Sequence, residues 1–327
     1  MLRRLFLSGV MLAGSSLAGT PLTLAQDAGD YPSRVATIVV PFPAGGSTDT
    51  IGRFVAQDLS KSLGQQFIVE NKAGANGNIG SAGVARAEAD GYTLLISGVG
   101  SNAINYTLYP RLGYEPGDLT HISLLLTGPN VLVANPEFEA KTFKEFIELA
   151  KAKPNEFNYA SAGVGASGHL AMEMLKQQAG IELTHVPYKG GAPAMTDVIG
   201  GQVPVMFINQ DAALPHVQAG TMRVLAVAST ERNPAYPDTP TIAESGFPGF
   251  SAVSWFGLSA PANTPKPIID KLHAATVKAL QNPEFKERME KNGFVVVGNS
   301  PEEFTAFVAA ETGKWGDVIT KGGIKAE

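Results

Sequence analysis

The sequence predicts an α/β protein of two lobes, and three observations support that prediction. Short apolar runs alternate with segments of helical periodicity, which is typical of parallel sheets with helices on both faces. The chain has 327 residues, enough for two such sheets. Residues 122–135 and 251–265 are extended segments that fit crossovers between the lobes. Two lobes with two hinge crossovers form a cleft that closes around a ligand.

The N-terminal segment predicts export. Arg3 and Arg4 precede an apolar run, Leu5 to Leu17, that is short for a membrane span. The following Thr23-Leu24-Ala25 fits the small-x-small cleavage pattern of a secretory signal peptide. The alternative is an N-terminal membrane anchor. Removal of residues 1–25 changes the formal net charge from −5 to −7, and we expect an exported, periplasmic protein.

Composition excludes several classes of function. The chain has 25 Lys and Arg against 30 Asp and Glu and no basic stretch, so it is a poor nucleic-acid binder. The absence of cysteine excludes disulfides, thiol nucleophiles and zinc–thiolate sites. The five histidines, at positions 121, 169, 185, 216 and 273, form no close pair along the sequence. We therefore expect no histidine-rich metal site and no cofactor.

The elements follow one another in a regular order. The first apolar run, Ile38 to Phe42, predicts a strand, and the periodicity after it predicts a helix that ends at Gly64. Capping boxes predict helices that start after Thr142 and Ser300. Further apolar runs predict strands at 67–69, 93–97, 122–126, 131–134, 157–160, 183–187, 203–208, 224–228 and 253–259. We assign residues 26–127 and 251–327 to the first lobe and residues 128–250 to the second.

A first glycine loop connects a predicted strand to a predicted helix. It contains Ala44, Gly45, Gly46 and Ser47, with Asp49 one position beyond Thr48. Glycines allow a ligand to approach the backbone, and the first amides of a helix bind anions without an arginine. The alternative is a tight turn that only caps the helix. Asp49 is expected to cap amides, to pair with the arginine one turn later, or to accept a hydrogen bond from a ligand.

A second glycine loop also connects a predicted strand to a predicted helix. Gly163, Gly165, Ser167, Gly168 and His169 lie in it. If the lobes face each other, two helix N-termini point into one cleft, which suits a dicarboxylate. The three glycines also match the dinucleotide fingerprint, but the acid that should hold the ribose is not at the end of the next strand.

Chemical catalysis has little support in the sequence. There is no G-x-S-x-G nucleophile elbow, and Ser167 and His169 do not face each other at a helix start. An exported enzyme that acts on a small carboxylic acid is thus only the alternative to a ligand-binding protein. Phe42 and Trp255 are candidates for apolar walls of the cleft or for ordinary core residues.

Several motifs, in order along the chain, resemble those of one family. The motifs are Pro41-Phe42-Pro43-Ala44-Gly45-Gly46 with Asp49 and Arg53, Gly74-Ala75-Asn76-Gly77-Asn78-Ile79-Gly80, Asp90-Gly91-Tyr92-Thr93-Leu94, Gly168-His169-Leu170-Ala171-Met172-Glu173, His185-Val186-Pro187-Tyr188-Lys189-Gly190 and Trp255-Phe256-Gly257-Leu258. On these motifs the chain resembles the Bug-type receptors of tripartite tricarboxylate transporters. The resemblance covers about residues 31–323.

The resemblance implies a periplasmic-binding-protein fold of type II, the Venus flytrap. It implies that a small carboxylate, a dicarboxylate or aromatic carboxylate, binds between the two glycine loops and passes to integral-membrane permease subunits that bind transiently. Such a mechanism requires only a monomer. A sensory receptor of the same fold is a second alternative.

The resemblance also implies contacts outside the glycine loops. Ser97, Ser101 and Asn102 are expected to add contacts from the first lobe. A third contact follows the strand that ends at Phe207, where Asn209 or Asp211 would reach the ligand. Many family members carry an aspartate and then Asn-Leu-Pro there, and this chain departs from that pattern.

Overall fold

The computed structural model describes residues 30–326, so the predicted signal peptide lies outside the described residues. Its strands are β1 (Ala36–Val40), β2 (Phe67–Asn71), β3 (Thr93–Gly98), β4 (Leu119–Ala134), β5 (Asn158–Ser161), β6 (Thr184–Pro187), β7 (Val205–Asn209), β8 (Arg223–Val227), β9 (Val253–Pro261) and β10 (Val295–Val296). Its α-helices are α1 (Ser47–Leu63), α2 (Asn78–Ala85), α3 (Asn105–Leu108), α4 (Phe143–Ala152), α5 (Ser167–Ala179), α6 (Gly191–Ile199), α7 (Gln210–Gln218), α8 (Lys266–Leu280), α9 (Pro283–Lys291) and α10 (Pro301–Gly322).

The strands form two connected sheets, one for each lobe. Their order is β2-β1-β3-β9-β4-β7-β5-β6, with β8 and β10 also paired to β4. We call the part with β1–β3 and β10 the first lobe and the part with β5–β8 the second. The predicted limits of the lobes along the chain stay predictions.

The prediction of parallel sheets is right for the outer strands and wrong for the middle ones. β1 pairs in parallel with β2 and β3, and β5 pairs in parallel with β6 and β7. The pairs that involve β4 or β9 are antiparallel. Because the chain crosses from the first lobe to the second in β4 and returns in β9, these neighbouring strands run in opposite directions.

The first crossover is one continuous strand of 16 residues that includes Gly128 and Pro129, whereas the sequence predicted separate strands at 122–126 and 131–134. Both residues stay in the sheet because they pair with Ser254 and Val253 of β9. Pro129 lies between the part of β4 that pairs with β10 and the part that pairs with β7 and β8. A proline is tolerated at such a change of partner because its missing N–H is not required there.

The C-terminal helices cover the sheet and also reach the second lobe. α8 packs on α1, and α10 packs on α3 of the first lobe and on α5 of the second. Gln177 Nε2 of α5 donates a hydrogen bond to the Val318 carbonyl of α10 at 3.0 Å. Both predicted capping boxes, after Thr142 and Ser300, are formed. None of the helices between residues 30 and 326 is long and apolar enough to cross a membrane.

The core that joins the lobes contains both tryptophans of the chain. Trp255 is 1 % exposed, and its ring meets the edges of Phe304 and Phe307 of α10 at 5.7 Å. Trp315 of α10 is fully buried. Trp255 is therefore a core residue rather than a wall of the cleft.

Candidate functional site

The first glycine loop is held by a carboxylate from the helix that it precedes. Gly45 has φ +91°, a conformation that favours glycine, and its N–H donates to Asp49 Oδ2 at 2.9 Å. Arg53 Nε donates to the same oxygen at 3.0 Å, and Asn71 Nδ2 donates to Oδ1 at 2.9 Å. Asp49 therefore caps the loop and pairs with Arg53, and both of its oxygens are used within the protein. This arrangement disfavours the alternative in which Asp49 accepts a ligand donor.

The environment of Asp49 keeps it ionised. Burial by itself raises the pKa of its carboxyl, but the hydrogen bonds from Arg53, Gly45 and Asn71 outweigh burial and hold the pKa below its usual value. The negative charge next to the first loop is thus balanced by a guanidinium. Ala44, Gly45 and Gly46 of this loop are exposed.

The second glycine loop is held by an imidazole four residues further along the chain, the same separation as between Gly45 and Asp49. Gly165, with φ +77°, donates its N–H to His169 Nδ1 at 3.1 Å. The Ser161 hydroxyl bridges the N–H and carbonyl of Gly163, both at 3.1 Å. The same hydroxyl lies 2.6 Å from His185 Nε2. Two histidines and one serine therefore fix the shape of this loop.

The two histidines form a stacked pair, although the sequence spacing suggested no close pair. The rings of His169 and His185 are 4.0 Å apart and nearly parallel. Burial lowers the pKa of His169 to about 3 and that of His185 to about 4, so both rings are neutral at pH 7. The pairing of β5 with β6 places His185 opposite Tyr159. In this position the His185 ring stacks on His169, the third residue of α5. In residues 30–326 no group of three or more potential ligands could hold a metal ion.

Gly168 has a packing reason to be glycine. A Cβ on it would lie 2.2 Å from the Phe207 carbonyl oxygen, so the start of α5 rests directly on β7. The third glycine of the apparent dinucleotide fingerprint is therefore explained by helix–strand packing.

The two lobes touch each other in two places. Ser47 Oγ, at the start of α1, donates to Asp211 Oδ2 of α7 at 2.5 Å. On the other side, Gly165 approaches Leu108 of α3 so closely that a Cβ would lie 2.1 Å from the leucine Cδ2. Asn76 of the first lobe lies beside the same glycine. We call this arrangement, in which the lobes touch at both places, the closed form.

A row of polar side chains lies where β4, β7, α5 and β9 meet. Ser254 Oγ donates to Asn209 Oδ1 at 2.8 Å and has a longer contact, 3.4 Å, with Ser167 Oγ. Ser167 Oγ lies 3.4 Å from Asn130 Oδ1. The structure thus brings predicted residues Ser167 and Asn209 together and adds Ser254 and Asn130. The sequence did not point to Ser254 or Asn130, because each is a single polar residue within an apolar strand.

Ser97, Ser101 and Asn102 are used inside the first lobe. Ser97 Oγ accepts a hydrogen bond from Ser259 at 3.0 Å, and Ser101 Oγ donates to Asn102 Oδ1 at 2.6 Å. All three predicted residues are fully buried. These positions argue against direct ligand contact by their side chains and favour a role in supporting the loop after β3.

Phe42 and Asn76 lie on the first-lobe side of the cleft. Phe42 is partly buried, and a Cβ on Gly77 would be 3.3 Å from its ring. The Asn76 side chain donates to Asn105 Oδ1 at 3.0 Å, and Asn105 Nδ2 donates back to the Asn76 carbonyl at 3.0 Å. Asn76 is thereby fixed in a left-handed conformation opposite the second loop.

Comparisons with known proteins agree with this architecture. The model of the tripartite tricarboxylate transporter family receptor matches residues 51–324. Protein BugT of Bordetella pertussis is 36 % identical over 327 residues, which cover 99 % of each protein.

Solved structures show the same two-lobe fold. A Rhodopseudomonas palustris protein determined with adipate has a TM-score of 0.82 and 36 % identity, and the match covers 90 % of this chain and 99 % of that chain. MatC from Rhodopseudomonas palustris with bound malate has a TM-score of 0.79 and 34 % identity, over 88 % of this chain and 100 % of that chain. The chain therefore belongs to the tripartite tricarboxylate transporter receptor family, and it is a periplasmic solute receptor rather than an enzyme.

Proposed function

We propose that this receptor binds a small carboxylate in the cleft between its lobes and delivers it to a membrane permease. The observation that carries the proposal is the contact of the two lobes beside two helix N-termini. Ser47 of α1 contacts Asp211, and Gly165, which precedes α5, approaches Leu108. Helix N-termini bind carboxylates through their free amides and their positive dipole ends. The adipate and malate in the two related structures support this chemistry.

The binding residues in this proposal come from both lobes. The first lobe contributes the backbone of Gly45, Gly46 and Ser47, with Phe42 and Ala44 beside it. The second contributes Ser167 and the backbone of Gly163 and Gly165, and we assign Asn209 a place between the two sets. The Ala166 amide is not included because it donates to the Gly163 carbonyl at 3.1 Å. Closure around the ligand follows from its higher affinity for the closed form, since a ligand shifts a conformational balance only by that difference.

A thermal-shift screen of residues 26–327 tests the binding proposal. The probes are succinate, adipate, malate, aspartate, glutamate and benzoate, each at high concentration. A ligand at one hundred times its Kd stabilises the native state by about 2.7 kcal/mol, which raises Tm by a few degrees. Failure of every acid to raise Tm, with no acid found by mass spectrometry of the denatured protein, would contradict carboxylate binding.

Two variants test the position of the site. Gly46 has no heavy atom within 4 Å of a built Cβ, so Gly46→Val leaves the fold intact and places a branched side chain in the space given to the ligand. Ser167→Trp fills the opposite side. Gly117→Val, in an equally open place on the first lobe, is the matched control. We expect both site variants to lose binding with unchanged circular dichroism, and normal affinity in both would place the site elsewhere.

Delivery to a permease needs its own test. Uptake of the radiolabelled acid by membrane vesicles from the source bacterium is measured with and without added receptor. We expect uptake to require the loaded receptor and to fail with Gly46→Val. Equal uptake without receptor would contradict delivery and favour a sensory role.

A further inference from the structure

Asp211 is an acid in the cleft that the glycine loops leave unexplained. It is the second residue of α7 in the second lobe, and its carboxylate reaches Ser47 of the first lobe at 2.5 Å. The side chain therefore lies between the two lobes, where a bound ligand would meet it. It is partly buried in the closed form.

The charge of Asp211 has no cationic partner. Among residues 30–326, no basic side chain forms an ion pair with it. Asp49, the other acid of the cleft, is paired with Arg53. A ligand carboxylate placed beside Asp211 would thus be repelled by a charge that nothing neutralises.

One oxygen of Asp211 also lacks a hydrogen-bond partner. Oδ2 accepts from Ser47, but Oδ1 is buried and has no partner among the described residues. Burial is the largest influence on the pKa of Asp211 and raises it, although the Ser47 hydroxyl and the nearby amides of Ala212 and Asp211 favour the charged form. Neither amide has hydrogen-bond geometry to Oδ1. A buried acceptor without a donor is costly, so a donor on the ligand would bind here favourably.

We propose that Asp211 selects acids that carry a hydrogen-bond donor, a hydroxyl or an ammonium group, over plain dicarboxylates. This inference rests on the proposed function, because the ligand carboxylate is assigned to the helix N-termini. The donor is assigned to Asp211 Oδ1, beside the N-terminus of α1. Hydroxy acids and amino acids share this pair of groups, and the two donors differ in charge.

Calorimetric titration with matched probes separates the donor from the carboxylate. The four-carbon series is succinate, malate and aspartate, and the five-carbon series is glutarate, 2-hydroxyglutarate and glutamate. For the wild type we expect the hydroxyl or the ammonium member of a series to bind at least tenfold more tightly than the plain diacid. A preference for malate and 2-hydroxyglutarate identifies the hydroxyl, and a preference for aspartate and glutamate identifies the ammonium group.

Asp211→Asn tests the charge without removing the contact between the lobes. The asparagine Oδ1 can still accept from Ser47, so closure is retained while the charge is lost. We expect the preference for the donor-bearing acid to fall at least fivefold, with tighter binding of the plain diacid. The control, Asp270→Asn on the exposed face of α8, should leave the preference within twofold.

A role of Asp211 in closure alone would give a different result. Ser47→Ala removes the hydrogen bond between the lobes but leaves the carboxylate, so we expect weaker binding of all acids and an unchanged preference. If Asp211→Asn also weakens all acids by one factor, or if the wild type prefers the plain diacids, the inference is overturned. If no acid of either series binds the wild type, the proposed function is overturned together with it.

Discussion

The two glycine loops are built on one plan with different chemistry. In each, a side chain one turn into the helix accepts a hydrogen bond from a loop amide four residues earlier, Asp49 from Gly45 and His169 from Gly165. We call each of these accepting side chains the clamp of its loop. The first clamp is an ionised carboxylate that also accepts a hydrogen bond from Arg53. The second is a neutral imidazole stacked on another. Because their protonation chemistry differs, the two loops should respond differently to acid and to substitution.

The largest effect is expected from removing the charged clamp. Asp49→Ala leaves the N–H of Gly45 without its acceptor and removes the carboxylate to which Asn71 and Arg53 donate. Asn71 keeps its hydrogen bond to the Phe42 carbonyl, and Arg53 keeps the one to Asn71. Loss of hydrogen bonds to a charged group should lower the free energy of unfolding by about 3 kcal/mol. Urea denaturation of the ligand-free protein measures this value. A loss below about 1 kcal/mol would show that the first loop does not depend on its carboxylate.

Acid should open the second loop and leave the first one closed. The pKa values of His169 and His185 in the fold, about 3 and about 4, lie below the ordinary value of 6.5. An opened loop therefore takes up protons below pH 6.5 that the closed loop does not, and the closed loop loses stability as pH falls from 6.5 towards 4. Exposure of His169, which bonds the Gly165 amide, should favour opening by about 2 kcal/mol at pH 5 relative to pH 7.5.

Amide hydrogen exchange distinguishes the two loops in this pH range. The pKa of Asp49 in the fold is below 3.8, so its stabilising contribution is lost only at lower pH than this. The protection factor of the Gly165 amide should therefore fall between pH 7.5 and 5, while that of Gly45 stays constant. Equal changes at both amides would indicate global unfolding and would contradict a local clamp.

A smaller effect is expected from removing the neutral clamp. His169→Phe keeps a ring that can stack on His185 but leaves the Gly165 N–H without an acceptor, at a cost of about 1.5 kcal/mol. His169→Asn offers an oxygen near the position of Nδ1 and should restore most of the stability and ligand affinity. Failure of asparagine to do better than phenylalanine would show that the ring packing, rather than the hydrogen bond, matters.

The smallest effects are expected from adding one methyl group to each loop. Gly45→Ala meets no heavy atom within 4 Å, so it costs only the backbone strain of a positive φ, about 1 kcal/mol. Gly165→Ala adds a clash with Leu108 of the opposite lobe, so it should also weaken ligand binding about tenfold. Leu108→Ala in the same chain should restore the affinity. Titration of Gly165→Ala without any loss of affinity would show that this contact does not limit closure.

The fold was predictable where local chemistry determines it. The capping boxes after Thr142 and Ser300 and the strand-to-helix turn at Gly45 depend on residues close in sequence, and the structure has all three. The continuous strand through Gly128-Pro129 was not predicted, because its pairing with β9 joins residues more than 120 positions apart.

The candidate site shows the same limit. The helix N-termini were visible as glycine loops, but their clamps depend on tertiary contacts. The stack of His169 on His185 follows from the register of β5 on β6, and the contact of Ser47 with Asp211 follows from closure. Neither strand register nor lobe closure can be deduced from the spacing of these residues in one sequence.

The position of Trp255 gives this receptor a built-in optical reporter. The chain has two tryptophans, and both are packed against or within α10, which touches both lobes. Trp255 directly follows Ser254, whose hydroxyl lies in the polar row of the cleft. Intrinsic fluorescence of the unlabelled protein should therefore change when the lobes move. Stopped-flow mixing would then give association and dissociation rates for any acid that binds.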